Sequence, residues 1–156
     1  MTRTLKTTIT LLAAACAMLM ASTQAHANIM TAGQHAFANQ LVHNTHLDKK
    51  VVSAWLLAEE SGSAARSREA HHNHNWLNIG YFDGITPPKN SAWRSPVKAA
   101  LATVAFMKKN SGGRSILRSA GKSRETQIRA IANSHWASNG YNHGNVLRYL
   151  IKKYMS

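Results

Sequence analysis

Apolar residues recur at helical spacing along most of this chain, and several stretches carry the pattern clearly enough to predict helices. The first runs from Thr31 to His43, with Ala32, Ala36, Phe37, Leu41 and Val42 recurring along it. Asp48 reads as the start of a second, Lys49 to Ser61, whose Val51, Val52, Trp55, Leu56 and Ala58 form one broad apolar face and which ends at Gly62. Ser95-Pro96 is an N-cap followed by proline at the first helical position, and opens a third through Val97, Leu101, Val104, Ala105, Phe106 and Met107. This helix is expected to stop at Asn110 to Gly113, with Gly112-Gly113 as an ordinary break between helices. A short helix from Arg114 to Ala120 follows, capped by Gly121. Ser123 then caps Arg124 to Ser134, with Glu125 in the first turn where the helix dipole favours negative charge. After the turn-rich run Ser138 to Gly144, a final helix covers Asn145 to Tyr154.

Two regions break the pattern. From Ser63 to Ser95 the chain is rich in Asn, Gly, Pro and His, and holds only the short β-favouring piece Leu77 to Phe82, closed by the turn pair Asp83-Gly84. The expected fold class is therefore mainly α, a helical domain with one small β element. At the other extreme, Ile9 to Met20 is continuously apolar, preceded by Arg3 and Lys6 and followed by the small-x-small triplet Ala25-His26-Ala27. That order predicts a cleavable signal peptide over 1–27 and a secreted or periplasmic domain over 28–156. The apolar run is shorter than the roughly 20 residues a membrane span requires. Cys16, the single cysteine, gives the run a lipoprotein-like look, but the usual leucine three residues earlier is absent, so a lipid anchor stays an alternative.

Removing 27 of the 156 residues leaves 129, enough for one domain with a core. Without Cys16 no thiol remains, so packing alone must hold the domain. The net charge of +13 falls to about +11 when Arg3 and Lys6 leave, with 17 basic residues against six acidic. Such an excess attracts polyanions without choosing among nucleic acid, anionic lipid and an anionic cell wall.

Six carboxylates make the search for acid–base chemistry short. Asp48 and Glu125 have local work at helix starts. Glu59 and Glu60 differ, because they sit at a helix C-terminus, where the dipole disfavours negative charge, beside an apolar face holding Trp55. Such a setting favours the neutral acid and makes a general acid of either one, although both could equally be solvated partners of the many arginines. Asp83 is a possible second carboxylate, or only a turn residue. Asn75, Trp76, Asn78, Tyr81, Trp136 and Tyr141 combine flat apolar rings with amides, the groups a glycan needs; either tryptophan could equally be core. His71, His72 and His74 lack the spacing and the third ligand of a zinc site, so neither metal nor cofactor is expected.

Trp55-Leu56-Leu57-Ala58-Glu59-Glu60-Ser61-Gly62, followed by Asn75-Trp76-Leu77-Asn78-Ile79-Gly80-Tyr81, resembles the core of the lysozyme-like domains of phage and bacterial cell-wall-degrading proteins. Gln127 to Ala132, Trp136 to Tyr141 and Tyr141 to Val146 are similar to later parts of the same pattern, so the likeness runs from about Val51 to Leu150. It implies a lysozyme-like fold with the β element beside a cleft, and cleavage of peptidoglycan glycan strands by a glutamate acid, either by hydrolysis or by lytic transglycosylation. The tryptophan-to-glutamate spacing of that family selects Glu59, whereas a Glu-Ser-Gly reading selects Glu60. Adjacent helical residues point about 100° apart, so only one of them faces a cleft, and Glu59 is preferred. The implied partners are glycan strands and an anionic wall surface, with no specific nucleic acid and a monomeric chain. A non-catalytic module of the same fold that binds peptidoglycan or another polyanion is the alternative.

Overall fold

The structure, a computed structural model, describes residues 29–60, 73–79, 93–137 and 139–155. Thr31–Ser156 is one compact unit, and Met1–Met30, of which only the last two residues are described, is another. The expected signal peptide therefore lies outside the described residues. Among the described residues the compact unit is mainly helical, and no helix there is long and apolar enough to cross a membrane.

Helix α1 spans Ala32–Thr45 and begins in a capping box, where Thr31 and Gln34 satisfy each other's backbone N–H groups. Helix α2, Lys49–Glu60, is started by Asp48, whose Oδ1 accepts from the N–H groups of Lys50 and Val51 at 2.8 and 3.2 Å. Every residue from Val51 to Leu56 is buried, so α2 is enclosed on all sides rather than along one face. It packs against α1, against α5 (Arg124–Ala132) and against α6 (Asn145–Tyr154), while α1 also lies on α3 (Pro96–Lys109). The α2–α5 junction is pinned by polar contacts: the Asp48 N–H donates to Gln127 Oε1 at 2.7 Å, and Arg124 pairs with Asp48 Oδ2 at 3.0 Å.

Ser95 and Pro96 open α3 as expected, with the Lys98 N–H donating to Ser95 Oγ. The next junction differs from expectation. Helix α4 starts at Ser111 rather than Arg114, capped by Asn110, and therefore contains Gly112 and Gly113. A Cβ on Gly112 would lie 2.2 Å from the Ser134 carbonyl oxygen, and one on Gly113 would lie 2.4 Å from Met107 Cα. The pair is a close-approach surface against neighbouring backbone, not a break. The β-favouring piece also differs: Leu77–Ile79 forms a turn with Asn78 at φ 53°, among described residues that contain no strand. Its remainder, Gly80 to Phe82, lies outside the described residues.

Candidate active site

The C-terminal end of α2 carries Glu59 into the interior, where it is only 8 % exposed. Burying a carboxylate requires hydrogen-bond partners, and two arrive from distant parts of the chain. Asn78 Nδ2 donates to Glu59 Oε2 at 2.8 Å, and the Tyr141 hydroxyl donates to Oε1. That hydroxyl in turn accepts from Trp55 Nε1 at 2.9 Å, one helical turn before Glu59. The result is a directed relay from indole to phenol to carboxylate, with an amide closing the other oxygen. Both donors are neutral. Burial takes water from the carboxylate, and these two hydrogen bonds replace it on both oxygens.

Local backbone chemistry places each donor. Asn75, 1 % exposed, brackets the turn by accepting from the Ile79 N–H at 3.0 Å and donating to the Ile79 carbonyl at 3.1 Å. This bracket holds Asn78 in the left-handed region, which asparagine tolerates better than most residues. Tyr141 is presented by a single left-handed turn, Gly140–His143, in which all four residues have φ between 51° and 54°. The turn is closed by the Gly144 N–H donating to the Gly140 carbonyl at 2.9 Å, and begun by Asn139, whose side chain accepts from the Tyr141 N–H. Gly144 itself, at φ 83°, sits against Ile128, where a Cβ would come within 2.7 Å of Cγ2.

Beside the relay stands an aromatic cluster. The half-buried Trp136 ring meets Trp55 edge-on at 4.8 Å between centroids and Phe106 at 5.7 Å, and its Nε1 donates to the Leu77 carbonyl at 2.9 Å. Trp136 thereby ties the turn bearing Asn78 to the segment leading into Tyr141. Phe106 remains 39 % exposed.

Glu59, Asn78, Tyr141 and Trp136 are thus brought together. Trp76 is not among them: it is 3 % exposed, with its ring against Phe37 and the face of Gly33, so it packs the core instead of offering a surface to sugar. Asn75 likewise shapes the turn and has no surface for a ligand, and the buried Tyr141 serves the carboxylate rather than a sugar face. The side chain of Glu60 lies outside what is described, as do Tyr81, Asp83, His71 and His72. The His74 ring lies tilted over Trp76, and among the described residues no three His, Cys, Asp or Glu side chains come close enough to hold a metal ion. Two participants were not legible as such in the sequence. Trp55 marked a motif but gave no sign of donating to Tyr141, and Phe106 had the helical spacing of a core residue.

No protein family, curated protein or solved structure matches this chain.

Proposed function

We propose that this chain cleaves the glycan strands of peptidoglycan, with Glu59 as the general acid, in a helical fold of the lysozyme-like kind. The observation that carries the reading is the buried Glu59 carboxylate at the end of α2, held by the Tyr141 hydroxyl and the Asn78 amide. A general acid must hold its proton in a dry setting and release it to a glycosidic oxygen. A phenol and an amide are suited to that task, because both can hydrogen-bond the group without adding a charge of their own.

Asn78 adds a second feature. Its Oδ1 is buried and has no hydrogen-bond partner among the described residues. Turning the amide over would let Oδ1 accept from a protonated Glu59, just as Nδ2 donates to the ionised form. One residue can therefore serve both protonation states, as required when the same glutamate first protonates the leaving oxygen and then takes a proton from the attacking hydroxyl. That hydroxyl belongs to water in hydrolysis and to the sugar itself in transglycosylation. Trp136, packed on Trp55 of the relay, and Phe106 would supply an apolar surface for a sugar face. Export through residues 1–27 and retention on an anionic wall by the positive charge complete the reading.

Turbidity loss of purified cell walls tests it. Wild-type protein should clear them, Glu59→Gln should not, and Glu60→Gln should retain clearing. Loss in Glu60→Gln alone would move the acid to the neighbouring residue. Walls that stay turbid but sediment with the wild-type protein would leave a binding module. Mass spectrometry of the released fragments then separates reducing ends from anhydro ends.

A further inference from the structure

The segments that carry Trp136 and Tyr141 have a second side. A depression of about 770 Å3 is lined there by Asn133, His135, Asn139, Asn142 and His143, together with small residues. His135 and Ala137 flank Trp136 in the chain, and Gly140 and Asn142 flank Tyr141, so the lining of the depression comes from the same two segments that carry those rings. Its volume lies within the range of about 300–1,000 Å3 that takes a small organic ligand rather than a single ion.

The chemistry of the lining is specific. Three amides and two imidazoles face the space, with no carboxylate among the lining residues. Arg148 donates to the His143 carbonyl at 3.1 Å, and Arg129 precedes Asn133 by one helical turn. Both guanidinium groups also pair with Glu125, and of the two it is Arg148 that reaches a lining residue, His143. Amides alone would suit a neutral saccharide; imidazole N–H groups with a cationic neighbour suit a ligand that also carries carboxylates. The backbone is left-handed in the same place, with His135, Asn142 and His143 at φ 59°, 51° and 53°. A positive φ is uncommon away from glycine, and such conformations cluster at functional sites and ligand clamps.

We propose that this depression binds the peptide carried by the glycan strand, a short amide-rich chain bearing carboxylates, and so directs cleavage to strands that retain their peptides. This rests on the peptidoglycan reading and names the part of that substrate recognised outside the acid. Asparagine side chains pair with the peptide's amides, and His135 and His143 with its carboxylates.

Calorimetric titration of the full chain with a muramyl dipeptide bearing a free carboxylate tests the proposal, alongside the carboxyl-amidated compound and the dipeptide without sugar. The free acid should bind. Amidation should weaken binding by about fivefold or more, the worth of one net hydrogen bond. His135→Asn and His143→Asn, which keep a residue tolerant of left-handed backbone, should weaken it as much while leaving the circular dichroism spectrum unchanged. Tighter binding with the sugar present identifies the strand-attached peptide as the ligand, whereas equal binding points to released peptide and overturns the directing role. The proposal also fails if the free acid does not bind, if the amidated compound binds equally, or if both variants bind like wild type. A chain that clears walls but ignores the peptide sinks this inference alone; one that binds the peptide without clearing walls sinks the enzymatic reading instead.

Discussion

Two carboxylates on this chain are held in opposite ways. Glu125, in the first turn of α5, has a side chain 45 % exposed and is gripped by cations: Arg129 Nε at 2.9 Å, and Arg148 through both Nε and a terminal nitrogen at 3.0 and 2.6 Å. The hydrogen bonds from Arg148, then those from Arg129, bring its pKa down to about 2. Glu59 is buried and held by a phenol and an amide. A cation beside a carboxylate keeps the proton off at every ordinary pH, so the Glu125 cluster is a static clamp between α5 and α6. A phenol and an amide bring no charge of their own to the carboxylate they bind. On the proposed function, the contrast separates a carboxylate that ties helices together from one that transfers a proton.

The strongest way to break the contrast is to neutralise each acid in turn. Glu59→Gln should lower wall clearing by about 10²–10⁴-fold, the usual worth of a general acid, with the helical circular dichroism signal retained. Glu125→Gln should leave clearing within about twofold, because surface ion pairs contribute little energy. Equal losses in the two variants would show that Glu59 acts only through the fold.

Next in size is the left-handed turn that delivers Tyr141. Gly144→Ala should cost about 2–3 kcal/mol in urea unfolding, combining left-handed strain of roughly 1–2 kcal/mol with overpacking against Ile128. Gly121→Ala is the sharpening control, since Gly121 has φ 73° with nothing within 4 Å of an added Cβ. It should lose only the conformational part, about 1–2 kcal/mol. Clearing should fall in the first variant, where the turn must shift, and hold in the second.

These positions also show what the sequence can and cannot disclose. Helix starts at Ser95, Ser123 and Asp48 were legible because a cap is a local bond between residues two or three apart. Gly112-Gly113 read as a break because its purpose, close approach to the Ser134 carbonyl and the Met107 backbone, depends on how the chain packs. The β propensity of Leu77–Ile79 gave way to a turn fixed by the Asn75 bracket, a side-chain effect that residue preferences do not register. Trp76 and Trp136 were indistinguishable by type, and only the tertiary packing sent one to the core against Phe37 and the other, half-buried, against Trp55. Glu59 stood out as a carboxylate in an apolar setting. Its pairing with Tyr141, 82 residues away, did not, because no local pattern encodes a contact at that separation.

A smaller effect tests the relay itself. Tyr141→Phe removes the hydroxyl that donates to Glu59 and accepts from Trp55 Nε1, leaving the indole N–H without that acceptor. Clearing should fall about tenfold, and stability by about 1–3 kcal/mol if the indole finds no replacement, less if water reaches it. A pH–rate profile separates positioning from packing. If the hydroxyl helps set the protonation of Glu59, the limb governed by that acid should move; a packing role alone would lower the rate at every pH without moving the limb.

The smallest effect belongs to the other carboxylate, and its sign follows from its titration. The Glu125 pKa is depressed in the folded chain, from 4.5 to about 2, by its bonds to Arg148 and Arg129. Its stabilisation is therefore fully present above about pH 4.5 and is lost as the pH falls from there towards 2. Because the side chain is almost half exposed, solvent screening holds the contribution to about 0.3–1 kcal/mol, well below what the displaced pKa alone would suggest. Glu125→Gln should accordingly be less stable than wild type at pH 6 and indistinguishable from it near pH 2. Added salt should narrow the gap at pH 6, since the Debye length shrinks to about 3 Å at 1 M. If the gap persisted at pH 2 or ignored salt, Glu125 would be contributing through packing, and the division between a clamped carboxylate and a proton-exchanging one would lose one of its two sides.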